Sequence, residues 1–158
     1  MSGLQIMPVE TPEQLAQLRE LFVEYARSLS FHICFDDFQK ELDQLPGDYG
    51  PPSGRLLLAL AEGELAGCVA LRPAGEGTGE LKRLYVRPGF RGEGIGRRLA
   101  KQALGEARRL GYRVIQLDTL PSMKEAQALY HSLGFKSLRN EPPSDAENEP
   151  IDMELRFA

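Results

Sequence analysis

The segment RPGFRGEGIGRRLAKQALGEARRLGY, residues 87–112, places three glycines within five residues directly before a helical pattern. A helix N-terminus has unpaired backbone N–H groups and a partial positive charge, so it attracts anions. Glycines at this point remove the Cβ atoms that would block a ligand, and they adopt backbone angles that other residues avoid. Arg91, Arg97 and Arg98 surround the glycines. The segment therefore predicts a phosphate site, most simply for a pyrophosphate.

The charge distribution indicates an anionic ligand that binds at one place. Between Lys82 and Arg113 there are ten basic and two acidic residues, although the whole chain has a net charge of −4. A local basic patch on an acidic protein is typical of a site for an anionic ligand. The basic residues of the helical pattern have no aromatic residues between them. Nucleic acid is therefore not a predicted partner.

Two common phosphate-binding motifs do not fit this segment. A P-loop requires Gly-Lys followed by Ser or Thr after four spacer residues, and the chain has no such run. A dinucleotide fingerprint is spaced G-x-G-x-x-G and follows the first strand of a long α/β unit. Here the spacing is G-x-G-x-G, it follows roughly the fourth predicted strand, and a chain of 158 residues lacks the second half of such a fold.

The spacing of apolar and turn-forming residues predicts a single domain over residues 1–158, without repeats. Helices are predicted to begin at a capping box at Thr11, near Asp36, at Ile95 and at a capping box at Ser122. Strands are predicted at residues 4–9, 55–62, 64–73, 80–86, 114–120, 135–138 and 151–157. Residues 47–54 and 73–79 are rich in turn formers, and the acidic, proline-rich residues 140–150 are expected to form a mobile loop.

Several function classes are not supported by the composition. No apolar run has the roughly 18 residues that a membrane span needs, and residues 1–14 lack the pattern of a signal peptide. Cys34 and Cys68 have no partners at metal-binding or CxxC spacing, and we expect two reduced thiols in a cytoplasmic protein. No metal site is predicted.

The order of motifs resembles the GNAT superfamily of N-acetyltransferases. RGEGIG (91–96) resembles its acyl-CoA pyrophosphate motif, ELKRLYVRPGF (80–90) its central strand, and LDTLPSMKEAQALYHSLGF (117–135) its later strand and helix. The resemblance implies an α/β fold of the α+β type in one GNAT domain. Its sheet is expected to be mixed and mostly antiparallel, with about six to seven strands and about four flanking helices.

The resemblance also implies the residues that hold the cofactor, acetyl-CoA. Backbone N–H groups of the glycine turn would bind the pyrophosphate, and the central strand would pair with the pantetheine arm. Ser122 and Ala126 complete the set, although Met123 stands where the family often has a cofactor-binding Asn. The polar contact is then absent or comes from Ser122, which alternatively only caps the helix. The implied residues are Leu84, Tyr85, Val86, Arg91, Gly92, Glu93, Gly94, Ile95, Gly96, Arg97, Ser122 and Ala126.

Two residues are implied to act in catalysis. Tyr130 occupies the family's general-acid position, where its phenol protonates the departing thiolate; the alternative is a helix tyrosine that only packs. Glu80 lies where many relatives place the general base, and the alternative is an exposed glutamate at a strand end. Glu62 and Glu24 are further candidates for the base. Tyr25 is a candidate for the acceptor pocket, together with Phe31 and His32, whereas His131 is expected at the surface.

The expected activity is transfer of an acetyl group from acetyl-CoA to a primary amine by direct attack in a ternary complex. The alternative is a module of the same fold that binds acyl-CoA without catalysis. The acceptor amine is left open between a small molecule and a protein. Dimerisation, which is common in the superfamily, is also left open. A membrane is not an expected partner.

Overall fold

The computed structural model of the protein describes residues 3–28, 35–119, 123–138 and 151–157, with the backbone alone at 35–37. Ser122, Cys34, His32, Phe31 and the predicted loop at 140–150 lie outside these ranges. The elements are β1 (Leu4–Pro8), α1 (Pro12–Ser28), α2 (Phe35–Gln44), β2 (Arg55–Ala61), β3 (Glu64–Gly75), β4 (Thr78–Val86), α3 (Ile95–Arg109), β5 (Val114–Thr119), α4 (Lys124–Ser132), β6 (Lys136–Ser137) and β7 (Ile151–Arg156).

The seven described strands form one sheet in the order β1-β2-β3-β4-β5-β7-β6. Each neighbouring pair is antiparallel except β4 and β5, which are parallel. These two strands pair only over Thr78–Glu80 and Val114–Gln116, so β4 continues to Val86 without β5 beside it. The mixed, mostly antiparallel sheet and the four helices confirm the expected fold class.

Each face of the sheet buries its own apolar core. On one face, Leu99 and Ala103 of α3 and Phe135 pack against Leu57 and Ile115 of the sheet. On the other face, α1 and α2 and the sheet pack around a second group of buried side chains, which includes Leu18, Phe22, Phe38, Tyr49, Leu58, Cys68 and Tyr85. The helices thus fix both faces of the central strand, β4. Within the described ranges, no helix is long and apolar enough to cross a membrane.

Strand β4 contains a bulge at Arg83. Its residues Lys82 and Tyr85 pair with Ala70 and Cys68 of β3, so three steps along β4 match two steps along β3. Arg83 has φ of 59°, in the left-handed region that non-glycine residues rarely occupy. The extra residue bends the strand where it leaves β5.

Local sequence signals account for α1 and α3. The Thr11 hydroxyl accepts a hydrogen bond from the Gln14 N–H (3.1 Å), and the Gln14 side chain accepts one from the Thr11 N–H (3.1 Å), which confirms the predicted capping box. Helix α3 buries Ile95, Leu99 and Ala107, as its apolar stripe predicts.

Two predicted boundaries are wrong. Strand β3 extends to Gly75 and β4 already begins at Thr78, because the glycines at 75 and 77 adopt φ of 145° and 70° and close a tighter hairpin than the predicted loop 73–79. Helix α4 has Met123, not Ser122, at its N-cap position, without a side-chain cap. A methionine side chain provides no cap oxygen, and within the described ranges no side chain caps the first turn of α4.

Candidate active site

A groove of about 660 Å³ opens where β4 leaves β5, between the end of β4, the glycine turn and the start of α4. Ten of the twelve predicted cofactor residues line it: Leu84, Tyr85, Val86, Arg91, Gly92, Gly94, Ile95, Gly96, Arg97 and Ala126. Glu93 is exposed and is not part of the lining, and Ser122 lies outside the described residues. Residues from three separate stretches of the chain therefore share one cavity.

The glycine turn leaves open space at the N-terminus of α3. Gly92 and Gly94 have φ of 84° and 79°, and a Cβ added to either would meet no atom within 4 Å. Gly94 is the N-cap residue, so no side chain satisfies the first N–H groups of α3. Gly96 has an ordinary φ and faces Val86 at 3.5 Å, so its role is close packing. An uncapped helix terminus with an open approach fits a phosphate group.

Arginine side chains fix the two ends of the turn. The Nε of Arg91 donates a hydrogen bond to the Val86 carbonyl (2.9 Å), and its guanidinium lies 5.8 Å from the centre of the Tyr85 ring. Arg97 donates to the Ser132 hydroxyl (2.7 Å) and so joins α3 to α4. These contacts hold positive charge beside the groove and fix its walls.

Tyr130 lies one turn after Ala126 on the same face of α4, and its side chain is buried. Its ring packs against Phe135 with the centroids 5.7 Å apart. Burial raises the pKa of Tyr130, and Tyr25 and Asp118 raise it further. The phenol is therefore neutral over the physiological range and retains a proton that it can donate.

Glu80 is the last β4 residue that pairs with β5, so it lies at the point where the two strands separate. One of its carboxylate oxygens accepts a hydrogen bond from the Arg72 Nε at 2.8 Å. Of the other candidate bases, Glu24 accepts a hydrogen bond at 3.4 Å from the hydroxyl of Tyr85, which lines the groove. Glu24 forms an ion pair with Arg87 (2.6 Å), and Glu62 is exposed in the turn between β2 and β3.

Asp118 was not singled out by the sequence analysis. It lies on β5. Burial is the main cause that raises the pKa of Tyr130 and Tyr25, and the charge of Asp118 raises both further. Burial lowers the pKa of Lys82, and Asp118 opposes that shift. Tyr25, predicted for the acceptor pocket, lines the groove, whereas His131 is exposed as expected. The signal for Asp118 was the alternation VIQLDT, which places polar side chains on one face of a strand beside the central one.

Arg83 anchors the bulge from the side of α2. Its guanidinium donates two hydrogen bonds to the Glu41 carboxylate, at 3.0 and 3.2 Å, and lies over the ring of Phe38 at 5.4 Å. Both charged side chains are largely buried, with 14% and 16% exposure. A bidentate, partly buried pair fixes geometry strongly, and here it holds a strained backbone in place. No group of three or more potential metal ligands occurs among the residues that the structure describes.

A mixed sheet that opens beside its central strand, with a glycine turn at the opening and a buried phenol nearby, is the arrangement expected of an N-acetyltransferase. The chain belongs to the acetyltransferase (GNAT) family, whose model matches residues 15–135. An N-acetyltransferase of Schizosaccharomyces pombe is 39% identical over 138 residues, covering 86% of this chain and 85% of that protein. The N-acetyltransferase YjgM of Escherichia coli is 30% identical over 135 residues, covering 82% and 78%.

Solved structures share the fold over nearly the whole chain. An acetyltransferase from Streptococcus agalactiae superposes with a TM-score of 0.79 at 26% identity, covering 98% of this chain and 99% of that one. The PaiA N-acetyltransferase of Thermoplasma acidophilum, in complex with coenzyme A, gives 0.73 at 19% identity, covering 98% and 99%. YncA from Salmonella typhimurium, with its cofactor acetyl-CoA, gives 0.72 at 20% identity, covering 97% and 93%.

Proposed function

We propose that this chain transfers an acetyl group from acetyl-CoA to a primary amine by direct attack in a ternary complex. The observation that carries the proposal is the groove beside β4, which ends on an uncapped glycine turn and adjoins a buried phenol. Two proteins of the same fold were solved with coenzyme A or acetyl-CoA, which supports this choice of cosubstrate.

The cofactor is proposed to bind along the whole groove. The first-turn N–H groups of α3, beside Gly92 and Gly94, receive the pyrophosphate, with Arg97 adding positive charge. The open edge of β4 from Leu84 to Val86 binds the pantetheine arm as a further strand would. A backbone N–H at the bulge is the proposed donor to the thioester oxygen, where negative charge develops during attack.

In the proposed reaction, the amine nitrogen forms a bond to the acetyl carbon while the carbon–sulfur bond breaks. Tyr130 donates its proton to the departing sulfur, and its neutral, buried phenol supports this role. An alkyl amine is neutral in only about one molecule in two thousand at pH 7, so a base must accept a proton. Glu80 is the proposed base, through water, because it lies where β4 and β5 separate. The products are the N-acetyl amine and the free thiol of CoA.

Binding and turnover are tested separately. Acetyl-CoA at about 100 times its dissociation constant should stabilise the protein by about 2.7 kcal/mol, which raises Tm by roughly 5–10 °C at this size. Thiol release with a panel of amines, confirmed by the mass of the acetylated product, then measures transfer. A thermal shift without transfer to any amine would favour the alternative of a binding module. No shift at millimolar acetyl-CoA would overturn the proposal.

A further inference from the structure

A second cleft, of about 320 Å³, lies on the face of the sheet that α2 covers. Its wall on β4 is formed by Lys82 and Arg83, and the next residue, Leu84, already lines the groove described above. The cleft and the groove therefore meet at the bulge of the central strand. Leu84 is the β4 residue of the groove lining that lies farthest along the chain from the glycine turn, so the cleft adjoins that part of the groove.

One half-buried cation of the cleft forms no ion pair within the part of the chain that the structure describes. Four basic side chains line the cleft: Arg83 is bound by Glu41, Arg72 is bound by Glu80, and Lys40 is exposed on α2. Lys82 is half-buried and forms no ion pair with any residue that the structure describes. Burial lowers the pKa of Lys82, and Arg83 lowers it further, so its ammonium form would be stabilised by an anion.

An anion lies opposite this cation. Lys82 is two residues beyond Glu80 on β4, and Asp118 is two residues beyond Gln116 on β5, where Glu80 and Gln116 are the last paired residues. Because side chains alternate along a strand, Lys82 and Asp118 share the face of Glu80 and Gln116 and flank the opening between the strands. Asp118 lies near enough to raise the pKa of Lys82, but the two side chains form no direct ion pair, and Asp118 forms none with any other described residue.

A cation and an anion that flank one opening without direct contact are complementary to a zwitterion. From this arrangement, and resting on the acetyltransferase function proposed above, we infer that the acceptor is a free amino acid. Its carboxylate binds Lys82 and its ammonium group faces Asp118, on the side of Tyr130. The amino group is then directed to the end of the groove where transfer takes place, and amines without a carboxylate leave Lys82 unpaired.

The test compares acceptors that differ only in the carboxylate. Thiol release is measured with the common amino acids, with the α-amide of the best of them, and with spermidine. The amide should react with a kcat/KM lower by roughly 10- to 100-fold, as expected for one lost hydrogen bond between charged groups. Equal rates for the acid and its amide, or a preference for spermidine, would overturn the inference while leaving acetyl transfer intact. No transfer to any amine would overturn the proposed function itself.

Variants of Lys82 test whether this side chain causes the preference for the amino acid over its amide. Lys82→Met should raise KM for the amino acid by roughly 10- to 100-fold and remove the preference over the amide, because it deletes one ionic hydrogen bond. Lys82→Arg should retain the preference, and Lys101→Met, an exposed lysine of α3 on the opposite face, should change neither value. The acetyl-CoA thermal shift, unchanged in all three variants, reports that they are folded. An unchanged acceptor KM in Lys82→Met would refute the assignment.

Discussion

A substitution at Gly94, which has open space beside its backbone, tests the phosphate site directly. With φ of 79°, this residue is in the left-handed region, and a Cβ there would meet no atom within 4 Å. Gly94→Ala therefore introduces no clash in the free protein and costs only backbone strain, about 1–2 kcal/mol. We expect Tm to fall by roughly 2–8 °C without ligand, because 1 kcal/mol corresponds to about 2–4 °C in a protein of this size.

The effect on cofactor binding should be larger than the effect on stability. The added methyl group lies where a phosphate would approach the N-terminus of α3, and losing one or two charge-assisted hydrogen bonds costs about 3 kcal/mol. That loss weakens binding about 100-fold. At an acetyl-CoA concentration that is 100 times the wild-type dissociation constant, the stabilisation should drop from about 2.7 to about 0.4 kcal/mol. Thermal denaturation with and without acetyl-CoA measures both quantities.

Gly63 provides a matched control. It lies in the turn between β2 and β3 with φ of 82°, and a Cβ there also meets no atom within 4 Å. Gly63→Ala should lose as much stability as Gly94→Ala but keep the full shift with acetyl-CoA. A full shift in Gly94→Ala would show that the phosphate does not bind this turn, and a lost shift in Gly63→Ala would mean that strain alone explains the result.

Four further outcomes are expected. Tyr130→Phe should lower kcat about 100-fold and change stability by less than about 0.5 kcal/mol, because the ring keeps its packing against Phe135; thiol release and thermal denaturation measure the two effects. Because burial raises the pKa of Tyr130, the donor keeps its proton to above about pH 10, and the wild-type rate should not fall between about pH 7 and 9.5 through loss of this proton. A fall in that range that disappears in Tyr130→Phe would contradict this. Glu80→Gln should lower kcat about 100-fold, whereas Arg72→Met, which keeps the carboxylate, should retain most of the turnover. Equal losses in the two variants would mean that Glu80 acts only through its ion pair with Arg72. Gly67→Ala should destabilise the protein by about 1–3 kcal/mol in urea unfolding, because its Cβ would lie 2.5 Å from the Tyr85 carbonyl oxygen, and an unchanged midpoint would show that β3 and β4 can separate freely.

The fold could be predicted where the signal is local. The Thr11 capping box, the apolar stripe of α3 and the alternation along the strands each depend on residues close together in the sequence. The bulge at Arg83 could not be predicted, because arginine has no preference for a left-handed backbone. Its conformation depends on Glu41, 42 positions away in the chain. Tyr49 lies within the turn-forming residues 47–54, and the sequence does not predict that it is buried in the core with 3% exposure.

The residues of the candidate site also divide into those that the sequence predicts and those that it does not. The sequence predicts the glycine turn, the end of β4 and Tyr130 as site residues because they form a recognisable order of motifs. The glycine turn and the end of β4 line one groove, and Tyr130 is buried beside Leu129, which also lines it. The role of Lys82 and Asp118 was not predicted. Each is an ordinary polar residue of a strand, and only the separation of β4 from β5 places the two across an opening. A single sequence contains no pattern that shows which residues of two separated strands lie across a gap from each other.

The bulge residue also constrains how the acceptor preference of this chain could evolve. Arg83 forms part of the cleft, and its backbone forms the bulge directly before the β4 residues that line the groove. A substitution there changes both cavities at once, so a gain with a new acceptor would be coupled to a loss in cofactor binding. Lys40 and Gln44 also line the cleft, but they are exposed on α2 and do not shape the groove. We expect new acceptor preferences to arise at these two positions, while residue 83 remains unchanged.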